Sequence, residues 1–356
     1  MKVNEVIEVI STIYRLGEKA PAVNLIGKPG IGKSAAVYKA AEIIGHQLGL
    51  DKPVPVVDIR LIHVNPVDLR GLPYPDVERG LAVWLQSGLL PTVERYGEHL
   101  ILFWDELTSA PPTVQAAAYQ VIWERKLGDW KMAPNWIQVV AGNRLTDRGV
   151  TYQMPTPLAN RMIHLPVEED LDDWKKWALE QDIDSRIIAF LNFRPQLLST
   201  FNPNRDSSVF ASPRTWEILS NLLKCYPDPN ASDVAANVVR GTVGEGVAAE
   251  FLAFCRTVEN LPDIEEILQG RGEEVPGEPD ILYALSSALV SRLINAAKDG
   301  DIKDMLGNFI KYTLQMPDEF SVLTVRDALR SEAVAEEIKG LPEWIRWAQK
   351  YRQYIL

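Results

Sequence analysis

Gly27-Lys28-Pro29-Gly30-Ile31-Gly32-Lys33-Ser34 is the stretch on which the fold turns. It follows an apolar run, Ala22-Val23-Asn24-Leu25-Ile26, and precedes a helix-like run from Ala35 to Ile44. Strand, G-x-x-x-x-G-K-[ST] loop and helix, in that order, describe a phosphate-binding loop. Glycines let successive backbone N–H groups turn inward onto phosphate oxygens. The start of the following helix adds its positive dipole end. Lys33 is expected to reach the β- and γ-phosphates and Ser34 to ligate Mg²⁺. Gly27, Pro29, Gly30, Ile31, Gly32 and Ala35 complete the nucleotide-binding stretch. The ligand class is a nucleoside triphosphate.

Apolar strand-like runs recur at Ala22 to Ile26, Val54 to Leu61, His99 to Trp104, Ile137 to Ala141 and Met162 to Leu165, mostly separated by helical segments. Such alternation predicts a parallel sheet flanked by helices, and near-continuous apolar runs predict strands covered on both faces. Residues Val3 to Leu16 have helical apolar spacing. After about Pro166 the strands stop, and helical periodicity takes over at Leu171 to Gln181, Ser185 to Phe193, Thr215 to Tyr226, Ala231 to Arg240 and Ala248 to Val258. A Gly-, Pro- and Glu-rich break runs from Gly270 to Pro279, followed by an amphipathic stripe, Ile281, Leu285, Leu289 and Leu293. The division read from this pattern is an α/β nucleotide-binding domain over 1–166, an α-helical lid over 167–270 and a C-terminal helical extension over 271–356.

The third apolar run ends in acids, Leu100-Ile101-Leu102-Phe103-Trp104-Asp105-Glu106. In an open parallel sheet, ligands sit outside the carboxyl ends of strands. Asp105 is therefore expected to orient Mg²⁺, and Glu106 to act as general base on the attacking water. The next run ends at Asn143, whose amide can align that water or sense the γ-phosphate. Arg161, just before the last run, is read either as a surface or salt-bridged arginine or as an arginine finger acting in trans. Arg214, opening a helix of the second half, could fold back onto the γ-phosphate.

The order of these motifs resembles that of the AAA+ ATPases, and among them the MoxR family, over roughly Val6 to Cys255. Beyond the phosphate loop, the resemblance is carried by Asp105-Glu106 with Ser109-Ala110-Pro111-Pro112 and Gln115, by Pro157-Leu158-Ala159-Asn160-Arg161, and by Ser212-Pro213-Arg214. It implies an AAA+ P-loop core with a parallel five-stranded sheet and an all-α lid, Asn143 as sensor 1, Arg161 as the arginine finger and Arg214 as sensor 2. It further implies ATP and Mg²⁺ as ligands, a homo-oligomeric and hexameric ring, and a protein client, with a von Willebrand factor A domain protein as partner. The job would be remodelling, maturation or metal-cofactor insertion. Asp68 to Pro91 looks like the family's insertion near helix 2, with Asp76 to Gly80 as its tip, and Arg125 to Trp130 like the hairpin before sensor 1.

Two features depart from this pattern. Arg144 stands where the family usually has proline, and Asn143-Arg144-Leu145-Thr146-Asp147-Arg148 resembles the signature of McrB-type GTPases. Arg144 and Arg148 are thus alternatives to Arg161 as the arginine acting in trans. No Asn/Thr-Lys-x-Asp guanine motif is present, which favours ATP. A McrB- or helicase-like nucleic-acid translocase is the rival function. The net charge of −11, with no basic stripe, argues against nucleic acid as main partner. No apolar run is long enough to span a bilayer. The first residues lack a secretory apolar core, and Cys225 and Cys255 belong to no metal or redox motif; the expected compartment is the cytoplasm.

Overall fold

Five of the apolar runs are strands of one parallel sheet in a computed structural model that describes all residues except 148–151, 205–207, 259–260, 273, 301 and 355–356. They are β1 (Ala22–Ile26), β2 (Val56–Arg60), β3 (Leu100–Asp105), β4 (Trp136–Gly142) and β5 (Met162–Pro166), laid side by side in the order β2-β3-β4-β1-β5. β2 is shorter than the run that predicted it. Pro53 and Pro55 cannot donate to a ladder, so pairing begins at Val56, and Leu61 already belongs to a 3₁₀ turn.

Alternation along the strands sends side chains to two cores. Ile101 and Phe103 of β3, with Val23, Leu25, Ile137 and Val139, pack against α1 (Val3–Ile13) and α2 (Lys33–Gln47). Leu100, Leu102 and Trp104, with Trp136 and Val140, pack against α3 (Pro112–Glu124) through Val114, Ala117, Ala118, Val121 and Ile122. Gln138, buried in β4, is fully engaged: it accepts from Trp104 Nε1 at 3.0 Å and donates to the carbonyls of Val121 and Ile122 at 3.3 and 3.2 Å. An unpaired amide there would cost about 1–3 kcal/mol, so Gln138 fixes β3, β4 and α3 in one register.

Two hairpins interrupt the alternation. Leu72–Asp76 pairs antiparallel with Leu81–Leu85, and Lys126–Leu127 with Trp130–Lys131. The first lies inside the expected helix-2 insertion, and its turn falls on Val77 to Gly80, inside the expected tip.

The chain divides into two compact units, Met1–Asp170 with Asn202–Asp206, and Leu171–Phe201 with Ser207–Leu356. The described part of the second unit is helical. A single core runs through it: Phe190 meets the rings of Trp216, Phe251 and Phe254 at 5.3–5.7 Å, and the same cluster includes Leu285, Leu289, Leu293, Phe309 and Trp347. The buried Lys175 ammonium bonds Asp327 at 2.9 Å, tying helix Leu171–Glu180 to helix Asp318–Ala328. Among the described residues no break in packing separates 167–270 from 271–356. Among them, too, no helix is long and apolar enough to cross a membrane.

Candidate nucleotide site

The site grows out of three adjacent strand ends. β1 pairs with β4 through Ile26 and Gly142, and β4 pairs with β3 through Val140 and Trp104. This register sets Gly27, Asn143 and Asp105-Glu106 in a row along the carboxyl edge of the sheet.

The loop after β1 has the backbone that a phosphate cradle needs. Gly30 and Gly32 have φ of 76° and 99°, the left-handed region that residues with a Cβ rarely enter, and Gly32 caps α2. A Cβ on Gly27 would lie 2.5 Å from Ile31 Cδ1 and 2.7 Å from the Val167 carbonyl. Buried Ile31 anchors the loop in the α1–α2 core, and Lys28 forms an ion pair with Glu169. Lys33 folds its ammonium over the loop. It donates to the carbonyls of Gly27 and Lys28, both at 2.8 Å, and to Asn143 Oδ1 at 3.1 Å. Two residues 110 positions apart, expected on separate grounds to touch the same phosphate, are therefore in direct contact. Ser34 and Ala35 form the first turn of α2.

At the end of β3, Asp105 is half-buried and accepts the Glu106 N–H at 2.9 Å. Glu106 itself sits at φ 58° and ψ 34°. A left-handed glutamate is strained backbone, of the kind that persists where the surroundings over-determine it and where function uses it. The next residues are firmly rooted. Leu107 and Ala110 are buried, Gln115 donates to the Ala110 carbonyl at 3.0 Å, and Thr108 Oγ1 donates to the Asn143 carbonyl at 3.2 Å.

A third acid stands beside this pair without having been singled out in the sequence. Asp58 of β2 lies next to β3. Burial, then the Asp105 and Glu106 carboxylates, push its carboxyl above the ordinary carboxylate range, against the pull of Arg60. Its Oδ1 is buried with no hydrogen-bond partner among the described residues. The sequence signal was an acid within an apolar strand, Val56-Val57-Asp58-Ile59.

The arginines part company. Arg144 closes on its own turn: Nε and Nη2 donate to Asp147 Oδ1 at 3.0 and 2.9 Å, and Asp147 is buried. Arg148 lies outside the described residues. Arg161 instead rests on two aromatic faces, 4.2 Å from the Trp123 ring centroid and 5.0 Å from that of Tyr119. Arg214 is exposed in the first turn of helix Pro213–Leu223 of the second unit, after the Ser212 cap.

The residues present fit a magnesium–nucleoside triphosphate. The left-handed glycines form an N–H cradle at a helix start, a lysine and an amide converge on it, and a hydroxyl and a carboxylate are available to the cation. Mg²⁺ ordinarily takes only one or two protein carboxylates, leaving the rest of its shell to water and phosphate.

No protein-family model matches the chain, and no curated protein aligns with it. Solved structures do show likenesses. A candidate ATPase from Cytophaga hutchinsonii is 16% identical over 98% of this chain and 88% of its own, with a TM-score of 0.33. NtrX from Brucella abortus in complex with ADP is 13% identical over 99% of this chain and 68% of its own, at 0.38. A point mutant of RuvB from Thermotoga maritima is 17% identical over 81% of this chain and 80% of its own, also at 0.38. Likenesses this distant carry no functional argument.

Proposed function

We propose that this chain is an AAA+ ATPase of the MoxR type. It couples ATP hydrolysis in a ring of identical subunits to the remodelling or maturation of a partner protein, with a von Willebrand factor A domain protein as the expected partner and the cytoplasm as the compartment. The observation that carries the nucleotide part of the reading is the contact of Lys33 with Asn143 at the mouth of the glycine loop. The ring and the client rest on the motif resemblance.

In this reading the triphosphate lies along the N–H groups from Gly30 to Ser34. Lys33 turns from the Gly27 and Lys28 carbonyls to the phosphate oxygens. Ser34 and Asp105 would hold Mg²⁺, which when bound would neutralise phosphate charge. Asn143 orients the attacking water and Glu106 accepts its proton as the new O–P bond forms. The bond from the γ-phosphorus to the bridging oxygen breaks, releasing ADP and phosphate. Arg161 of the adjoining subunit stabilises the charge that builds on the γ-phosphoryl oxygens. By the motif resemblance, Arg214 would serve as sensor 2.

Phosphate release tests the base: Glu106→Gln is expected to lower turnover by about a hundredfold or more while nucleotide still binds. Turnover equal to wild type would remove Glu106 from the mechanism. Arg161→Ala is expected to cost on the order of a thousandfold, and mixing it with Lys33→Ala subunits should restore part of the activity, because each supplies what the other lacks. No recovery at any mixing ratio would mean that sites are not shared between chains.

The McrB-like run Asn143–Arg148 supports a nucleic-acid translocase as a second reading. Filter binding with duplex and single-stranded DNA across a salt titration decides it, since phosphate contacts give a steep loss of affinity with salt.

A further inference from the structure

Arg161 and Arg144 have been put to opposite uses by their surroundings. The Arg144 guanidinium is paired with the Asp147 carboxylate, donating from Nε and Nη2 to its Oδ1. Arg161 has no carboxylate partner among the described residues. Its guanidinium lies over the faces of Tyr119 and Trp123, four positions apart on α3 and so on one helix face. An aromatic face attracts and orients a cation without cancelling its charge, so the guanidinium stays fully available to an anion.

The root of the side chain is equally fixed. Arg161 N–H donates to the Leu158 carbonyl at 3.1 Å, and β5 begins at the next residue. The ring of His164, in that strand, bonds the Ala159 carbonyl at 2.7 Å. The core face of α3 is supplied by Val114, Ala117, Ala118, Val121 and Ile122; Trp123, at 52% exposure, is not needed there. A tryptophan left half in water with a cation on its face is a shelf for that cation.

We infer that Tyr119 and Trp123 are positioning residues that hold the Arg161 guanidinium, charged and pre-oriented, for delivery to the nucleotide of an adjoining copy of this chain. The inference rests on the reading of Arg161 as a finger acting in trans, and the experiment separates the two. A side chain held in its working geometry raises turnover rather than ground-state nucleotide binding.

Steady-state hydrolysis and nucleotide affinity are measured for wild type, Trp123→Ala, Tyr119→Ala, Trp123→Phe, Arg161→Ala and the Trp123→Ala/Arg161→Ala double variant. The two shelf truncations are each expected to lower kcat by about tenfold, with KM and nucleotide Kd held within about twofold. Trp123→Phe, which keeps a ring face, should restore most of the loss. In the Arg161→Ala background Trp123→Ala should cost nothing more, because the shelf acts only through that arginine. Wild-type kcat in both truncations beside an inactive Arg161→Ala would overturn the shelf and leave the finger standing. An equal further loss in the double variant would also overturn it. Wild-type turnover in Arg161→Ala would remove the finger and the shelf together.

Discussion

The two hairpins of the first unit have the same topology and opposite relations to the core. In the 126–131 hairpin, Leu127 and Trp130 face each other across the ladder and are 6% and 5% exposed. They join Met132, Trp136 and Ile122 in one cluster, and Trp130 Nε1 donates to the Pro91 carbonyl at 2.7 Å. In the 72–85 hairpin, Leu72, Tyr74, Leu81, Trp84 and Leu85 are all at least half exposed. A two-stranded ribbon in water is marginal by itself. This one is held at its root, where Gly71 passes so close to Leu85 that a Cβ would sit 1.9 Å from the carbonyl oxygen, and at its turn, where Arg79 N–H bonds Asp76 Oδ1 at 3.1 Å. The lesson is that apolar content alone does not say which hairpin builds the fold. The shorter one is structural, and the longer, more apolar one is displayed.

Four substitutions sharpen or break this contrast. The largest effect belongs to Trp130→Ala, which empties a core site and strands the Pro91 carbonyl; it should cost about 3–5 kcal/mol in denaturant unfolding, whereas Trp84→Ala should stay within about 0.5 kcal/mol. Similar losses for the two tryptophans would erase the distinction. Next comes Arg125, which ends α3 at φ 53° and donates from Nη2 to the carbonyls of Ala133 and Trp136 at 2.8 and 2.7 Å. Arg125→Gly keeps the left-handed backbone but removes both bonds, so about 1–3 kcal/mol should be lost; an unchanged unfolding midpoint would show that the backbone alone seats the hairpin.

The smallest effect concerns β2, the strand that leads toward the exposed hairpin. The Asp58 carboxyl is raised in the folded state above its unfolded value, so its ionisation opposes folding. Asp58→Asn should therefore be the more stable protein near neutral pH. The advantage should shrink as pH falls through the raised value, because the wild-type carboxyl then takes up its proton in the folded state. An advantage independent of pH would mean that Asp58 acts through packing rather than charge.

Much of the fold was legible because its signals are local. The phosphate loop needs its glycines at fixed spacing, and buried strands must be apolar on both faces, so all five runs could be placed to within a few residues. Asp105-Glu106 and Asn143 were legible because strand ends are where a parallel sheet presents polar groups. What escaped depends on distant partners. The hairpin within Arg125 to Trp130 is expected from the motif resemblance, but its burial is not: Leu127 and Trp130 join the core only once Pro91 and Met132 are brought to them. Tyr119 and Trp123 read as the outer edge of an amphipathic helix until the residue before β5 is laid across them. Asp58 reads as an interruption in a strand until β3 places two more carboxylates alongside. The Gly- and Pro-rich break at 270–279 reads as a boundary, yet the stripe at Leu285, Leu289 and Leu293 completes a core begun by Phe190 and Trp216.

Thr108 gives one of these details a mechanical meaning. Its hydroxyl bonds the Asn143 carbonyl, and its Oγ1 lies 2.7 Å from where a Cβ on Gly142 would stand. The turn that follows the strained glutamate and the strand end that bears the amide are thus keyed together with no room for even a methyl group between them. A side chain added at Gly142 would force the two apart, so the backbones that carry the acid and the amide are held against each other.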